Sequence, residues 1–169
     1  METSHAQELI LLGLSHRTAP VDVRQRSAVP KERLQAHLRQ LREGAAAQEL
    51  FIVSTCNRTE ILAAGSDGRD LEHKLRESLP GEAQDHLYVH HGAEAVFHVF
   101  SVCGGLRSMV LGESEIQAQM KDAWQGAQAA GTLGTFLDAL LQQAMRVGKR
   151  IRTETALGQG TLSVASAAI

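Results

Sequence analysis

The residues of this chain best suited to chemistry are Cys56 and Arg58, two positions apart within Phe51-Ile52-Val53-Ser54-Thr55-Cys56-Asn57-Arg58-Thr59-Glu60-Ile61-Leu62. A thiol held on a turn by a rigid scaffold can act as a nucleophile, and a guanidinium beside it can bind an anion. A small buried cysteine next to a surface arginine would leave the same triplet, so the pair has to be weighed with the rest of the chain. Histidines supply the other reactive groups: His16 beside Arg17 in one polar loop, then His86, His90, His91 and His98. Their spacing matches no standard zinc set and the cysteines are not paired with them, so no metal site is expected.

These groups need elements to position them. Phe51 to Val53 and Ile61 to Leu62 read as buried strands joined by the polar turn that carries Cys56. Leu9-Ile10-Leu11-Leu12, ending at Gly13, is too short for an ordinary helix and reads as a central strand, with Ser15 to Pro20 as the loop at its end. Val21 to Ser27 is short and charged and gives no element. Pro30 opens a helix with Leu34, Leu38 and Leu41 at helical spacing, closed by Gly44; its Lys31, Arg33, Arg39 and Arg42 read as a solvated surface.

A second amphipathic helix carries Leu71, Leu75 and Leu79, and Leu87 to Val89 reads as a short strand. A helix from Ala93 to about Val102 follows, with His98 among its apolar residues. Cys103 to Glu113 is punctuated by glycines, and two long helices come next, from Ser114 to Gly131 and from Thr135 to Arg152. The expected fold is α+β: a small sheet with helices packed on one face (βαβ-type halves), followed by long C-terminal helices.

Composition narrows the function classes. A chain of 169 residues, 43% hydrophobic and 21% charged, makes one domain or one domain plus the start of another. Aromatics at 4% argue against a base-stacking platform, and a net charge of −2 means that any nucleic-acid contact needs a local basic patch. Met1 to Gln7 lacks an apolar core, and two cysteines without such a leader point to a reducing cytoplasm. No apolar run approaches the length of a membrane span.

Four segments together resemble glutamyl-tRNA reductase. They are Gly13-Leu14-Ser15-His16-Arg17-Thr18-Ala19-Pro20, Ser54-Thr55-Cys56-Asn57-Arg58-Thr59-Glu60, Ser108-Met109-Val110-Leu111-Gly112-Glu113-Ser114-Glu115-Ile116 and Val147-Gly148-Lys149-Arg150-Ile151-Arg152-Thr153-Glu154-Thr155. Their order and spacing match as well. The resemblance implies a catalytic N-terminal domain over residues 1–156 and the start of an NADPH-binding domain over 157–169. It implies reduction of glutamyl-tRNA(Glu) to glutamate-1-semialdehyde through a cysteine thioester, the first step of five-carbon tetrapyrrole synthesis. The partners implied are glutamyl-tRNA(Glu) and glutamate-1-semialdehyde aminomutase, with a homodimer at full length, no DNA and no membrane.

By the same resemblance Cys56 is the nucleophile and His98 its acid–base partner. Arg58 recognises the substrate carboxylate, and Thr55, Asn57, Ser108, Glu113 and Gln119 line the substrate site. No cofactor-binding residue is expected here: Gly158-Gln159-Gly160-Thr161-Leu162-Ser163 follows a helix and ends on serine, which fails the dinucleotide pattern. The chain also departs from the family, which usually has Gly-Leu-Asp-Ser where Gly105-Leu106-Arg107-Ser108 stands, and Cys103 is an uncommon second thiol. Those departures keep open a catalytically silent tRNA- or regulator-binding relative of the same fold. A Cys-His hydrolase fits the Cys56/His98 pair but gives no reason for the four segments.

Overall fold

The computed structural model describes residues 7–158. Its centre is a four-stranded sheet of β1 (Glu8–Ser15), β2 (Glu49–Ser54), β3 (Arg58–Gly65) and β4 (Tyr88–His91), in the order β2-β3-β1-β4. Every ladder is antiparallel. Six helices surround it: α1 (Val21–Ser27), α2 (Leu34–Gly44), α3 (Gly68–Glu77), α4 (Gly92–Cys103), α5 (Glu115–Ala130) and α6 (Thr135–Glu154). The class is the expected α+β.

The sheet is covered more widely than on one face. Successive strand residues point to opposite faces, yet Leu9 to Ser15 and all of β3 are buried. The fully buried Ile10, Leu12 and Ile61 belong to one face, and Arg58, Glu60 and Leu62 to the other. Each such aliphatic residue contributes about 1.5–3 kcal/mol by leaving water. Two polar residues therefore sit under a packed layer and must find partners there.

Local sequence explains most elements. Leu38 and Leu41 bury the inner face of α2, which Pro30 opens through a 3-10 turn over Lys31–Arg33. The Asp67 side chain caps α3 by accepting from the Asp70 N–H at 3.2 Å. Gly131 ends α5 at φ 70°, a left-handed conformation that favours glycine. The segment Val21–Ser27, given no element from sequence, is a short helix: it buries only Val23 and Ser27, too few to show a period. Strand β4 also lies a residue later than Leu87–Val89, because its register is set by pairing with β1 rather than by its own composition.

Arg39 and Arg42, read from sequence as solvated surface, have a specific task. Arg39 donates to the carbonyls of Ala129 and Ala130 and Arg42 to that of Gly131, so both neutralise the carbonyl end of α5. At the neighbouring helix start, the buried Glu49 carboxylate accepts from the N–H groups of Gly134, Phe136 and Leu137. Helix α6 then crosses the end of α4 at Gly148, where a Cβ would collide with the Cys103 carbonyl oxygen. No helix among the described residues is long and apolar enough to cross a membrane. The expected start of a second domain over 157–169 lies, apart from its first two residues, outside the described residues.

Candidate active site

The Cys56 turn is built by its neighbours. Thr55 donates its N–H to the Arg58 carbonyl at 2.8 Å, and its hydroxyl accepts from the N–H groups of Asn57 and Arg58. Two outside contacts pin the turn. The His16 N–H donates to the Asn57 carbonyl at 2.8 Å, and Arg24 of α1 donates its Nε–H to the Cys56 carbonyl at 3.2 Å. The result is a fixed backbone with the Cys56 side chain exposed.

Two residues on, the chain enters β3. Arg58 and Glu60 are 2% and 3% exposed, and Arg58 Nη1 donates to Glu60 Oε1 at 2.9 Å. The same oxygen accepts from His98 Nε2 at 2.8 Å and from the Tyr88 hydroxyl at 2.5 Å. Burial opposes the charge on Glu60, but the His98 hydrogen bond and the Arg58 charge outweigh it and hold the carboxyl down to about 2. Glu60 is therefore an anion at neutral pH, and His98 must carry its hydrogen on Nε2 to donate to it. Burial and then the Glu60 charge push the Tyr88 phenol well above its usual range, so it remains a donor.

Room for this cluster comes from Gly13, which faces Glu60 across the β1–β3 ladder. A Cβ there would sit 2.6 Å from the Thr59 carbonyl oxygen and 2.8 Å from Glu60 Cγ. Beside the cluster lies a cavity of 210 Å³. Arg58, Tyr88, His90 and His98 form one part of its wall, and Ser15, Arg17, Thr18 and Arg107 the rest. Arg58 reaches across to donate its Nη2–H to the Arg107 carbonyl at 2.6 Å. Burial, followed by the His98 and Arg107 charges, lowers the pKa of His90.

The expected site residues thus separate into groups. Arg58 and His98 share the cavity wall, whereas Thr55, Cys56 and Asn57 form the turn leading into it and are not part of that wall. Ser108 follows Arg107 directly, and its Oγ is buried without a hydrogen-bond partner. Glu113 is half-buried on the turn before α5. Gln119 is elsewhere, lining a 480 Å³ cavity between α2 and α5 with Ser54 and Lys31. Cys103 is sealed at the end of α4, and burial, with the Glu60 charge second, pushes its thiol up to about 12.

Sequence reading missed Glu60, Tyr88, Gly13 and Arg24 as site residues. Glu60 had a signal: it is a lone charge opening a run, Ile61 to Ala64, that has to be buried. The others had none, because their places depend on strand register and on where α1 docks.

Fold and site together define a class: an antiparallel α+β domain with an exposed thiol on a turn two residues from an arginine that lines a small cavity. Comparison with known proteins makes this particular. The family described as "Glutamyl-tRNAGlu reductase, N-terminal domain" matches residues 12–155. Glutamyl-tRNA reductase of Xanthomonas oryzae pv. oryzae is 48% identical over 161 residues, covering 95% of this chain and 37% of that protein. The Stenotrophomonas maltophilia enzyme is 47% identical with 38% of its length covered. The solved glutamyl-tRNA reductase from Methanopyrus kandleri superposes with a TM-score of 0.83 at 32% identity, covering 95% of this chain and 38% of that one. The chain belongs to the glutamyl-tRNA reductase family and corresponds to its N-terminal domain, a little over a third of the length of these relatives.

Proposed function

We propose that this domain takes the glutamyl group from glutamyl-tRNA(Glu) onto Cys56, as the acyl-accepting part of a glutamyl-tRNA reductase in the first step of tetrapyrrole synthesis. The observation that carries the proposal is the exposed Cys56 thiol on a turn whose backbone is fixed from both sides. Its thiolate attacks the ester carbonyl, a C–S bond forms, and the C–O bond to the terminal ribose breaks, the ribose oxygen leaving with a proton. The thioester is more reactive than the ester because sulfur shares its lone pair less well with the carbonyl.

Arg58 and His98 would meet the acyl group in the adjoining cavity. His98 Nε2 is committed to Glu60, which leaves its buried Nδ1, without a partner, as the ring position able to exchange a proton. Thr55 and Asn57 shape the turn. Ser108 and Glu113 lie on the segment before α5 and are not part of the cavity wall, and Gln119 would contact substrate only from the separate cavity.

The resemblance also implies NADPH, whose hydride would reduce the thioester to the aldehyde. The described residues do not fit it: a dinucleotide site is built on parallel strands with a glycine-rich turn between strand and helix, and every ladder here is antiparallel. On these residues alone the thioester is consumed by water, which attacks the carbonyl, breaks the C–S bond and returns glutamate and the thiol. The expected outcome is slow deacylation of glutamyl-tRNA(Glu) that Cys56→Ser lowers at least about 100-fold, in line with loss of a covalent nucleophile. Equal rates for the two proteins would defeat the proposal.

A further inference from the structure

The 210 Å³ cavity beside Arg58 has a larger neighbour. A second cavity of 420 Å³ is lined by His90, Ala93, Glu94, Phe97 and Arg107, and His90 and Arg107 belong to both walls. The first is below the usual 300 Å³ or more of a whole-ligand pocket and suits one side chain; the second is within that range. Two unequal compartments that share a wall fit a ligand with a small arm and a larger ring system.

The larger compartment has the groups to hold a nucleobase. The chain has four phenylalanines, one tryptophan and one tyrosine, and Phe97 is the most exposed of them, at 67%. A single exposed apolar residue is ordinary by itself. This one lies on the cavity, because α4 buries Ala95, His98, Val99 and Val102 and leaves the face of Phe97 outward. Ala93, one turn earlier on that face, is too small to cover the ring. Arg107 adds a planar guanidinium, which stacks on bases as well as binding anions. Glu94 adds an acceptor. Its contact with His90 is long, at 3.9 Å, and burial, followed by the His98 and Arg107 charges, lowers the pKa of His90 and keeps it neutral at pH 7. The Glu94 carboxylate is thus free to accept from an amino or hydroxyl group.

We infer that the 420 Å³ cavity is the subsite for the terminal adenosine of the acyl-carrying tRNA, with its base stacked on Phe97. The acyl group of an aminoacyl-tRNA is esterified to the ribose of that adenosine, so base and acyl group need adjoining spaces, and these two cavities adjoin at His90 and Arg107. One exposed ring holds one base, which a chain with so few aromatics can supply. Glu94 accepts from a ribose hydroxyl or from the amino group of the base. This subsite rests on the substrate proposed above but not on the thiol chemistry.

The test measures binding of uncharged tRNA(Glu) to the full chain, so that no acyl transfer is involved. The probes are tRNA(Glu) ending in adenosine and the same RNA ending in an abasic nucleotide, which keeps the last phosphate and ribose. The wild type should bind the adenosine form about 5- to 150-fold more tightly, the usual worth of one base stacked on an aromatic ring. Phe97→Ala should bring the adenosine form down to the level of the abasic form and leave the abasic form within about 2-fold. Phe97→Tyr, which keeps the ring, should retain the preference. Both affinities should fall with salt while their ratio stays nearly constant, because stacking releases no counterions. No preference in the wild type, or a preference that survives Phe97→Ala, overturns the subsite. Equal weakening of both forms by Phe97→Ala overturns it too, since Phe97 would then touch the RNA body or only support α4. Failure of the acyl-transfer reading would show separately, as equal deacylation rates for the wild type and Cys56→Ser.

Discussion

The two thiols of this domain have opposite surroundings, Cys56 exposed and Cys103 buried. Cys56 stands on a turn whose peptide groups are tied down by Thr55, His16 and Arg24 while its sulfur faces solvent. Cys103 closes α4, where Gly148 of α6 packs directly on its carbonyl and the Glu60 charge further resists ionisation. Both are free cysteines, and only one is placed to react. Packing, not sulfur chemistry, makes the difference.

The contrast can be read directly by alkylation. With its pKa at about 12, Cys103 holds only about 10⁻⁴ of its sulfur as thiolate at pH 8, so iodoacetamide should modify Cys56 and spare Cys103 until the protein unfolds. Peptide mass spectrometry over a time course checks this, and equal labelling of the folded protein would remove the distinction.

Glu60 is the next place to break it. Glu60→Ala strands Arg58 in the sheet layer without its counter-charge and should cost about 3–5 kcal/mol in urea unfolding. Glu60→Gln, which keeps the size, gives a second reading if the alanine variant does not fold. The acid limb supplies the sign. The folded carboxyl titrates near 2 against an ordinary 4.5, so its contribution is complete above about pH 4.5 and is lost as pH falls towards 2. Glu60→Gln should flatten stability across this window. An unchanged acid limb would show that the cluster does not hold Glu60 ionised.

The smallest expected effect comes from the seam over Cys103. Gly148→Ala must push α6 off the Cys103 carbonyl, with a loss of about 1–3 kcal/mol for overpacking. Cys103 should then label faster while Cys56 labels at its wild-type rate. If the seam gives way without exposing the sulfur, the packing account of Cys103 is wrong.

What the sequence disclosed follows the range of the forces involved. Leucine spacing marked α2 and α3, and apolar periodicity with Gly131 marked α5, because those signals lie within one element. Helix α1 was invisible since only Val23 and Ser27 face inward. Cys56 and Arg58 stood out by residue type and spacing, and His98 only through the family resemblance. Their connection through Glu60 did not, because it depends on the register that places Gly13 opposite Glu60 and on the docking of α4. The caps made by Arg39, Arg42 and Glu49 were hidden for the same reason: each joins segments some 85 to 91 residues apart. Arg107 was visible as a departure in charge, but only the folded chain makes it part of a cavity wall.

The central claim is that Cys56 carries the acyl group, and trapping the intermediate tests it most directly. The protein is mixed with glutamyl-tRNA(Glu) labelled in its amino acid, quenched in acid within the first turnover and digested. The account predicts label on the peptide containing Cys56, released by neutral hydroxylamine as a thioester requires and absent from Cys56→Ser. Label on the Cys103 peptide, or deacylation with no label on protein at all, would contradict it.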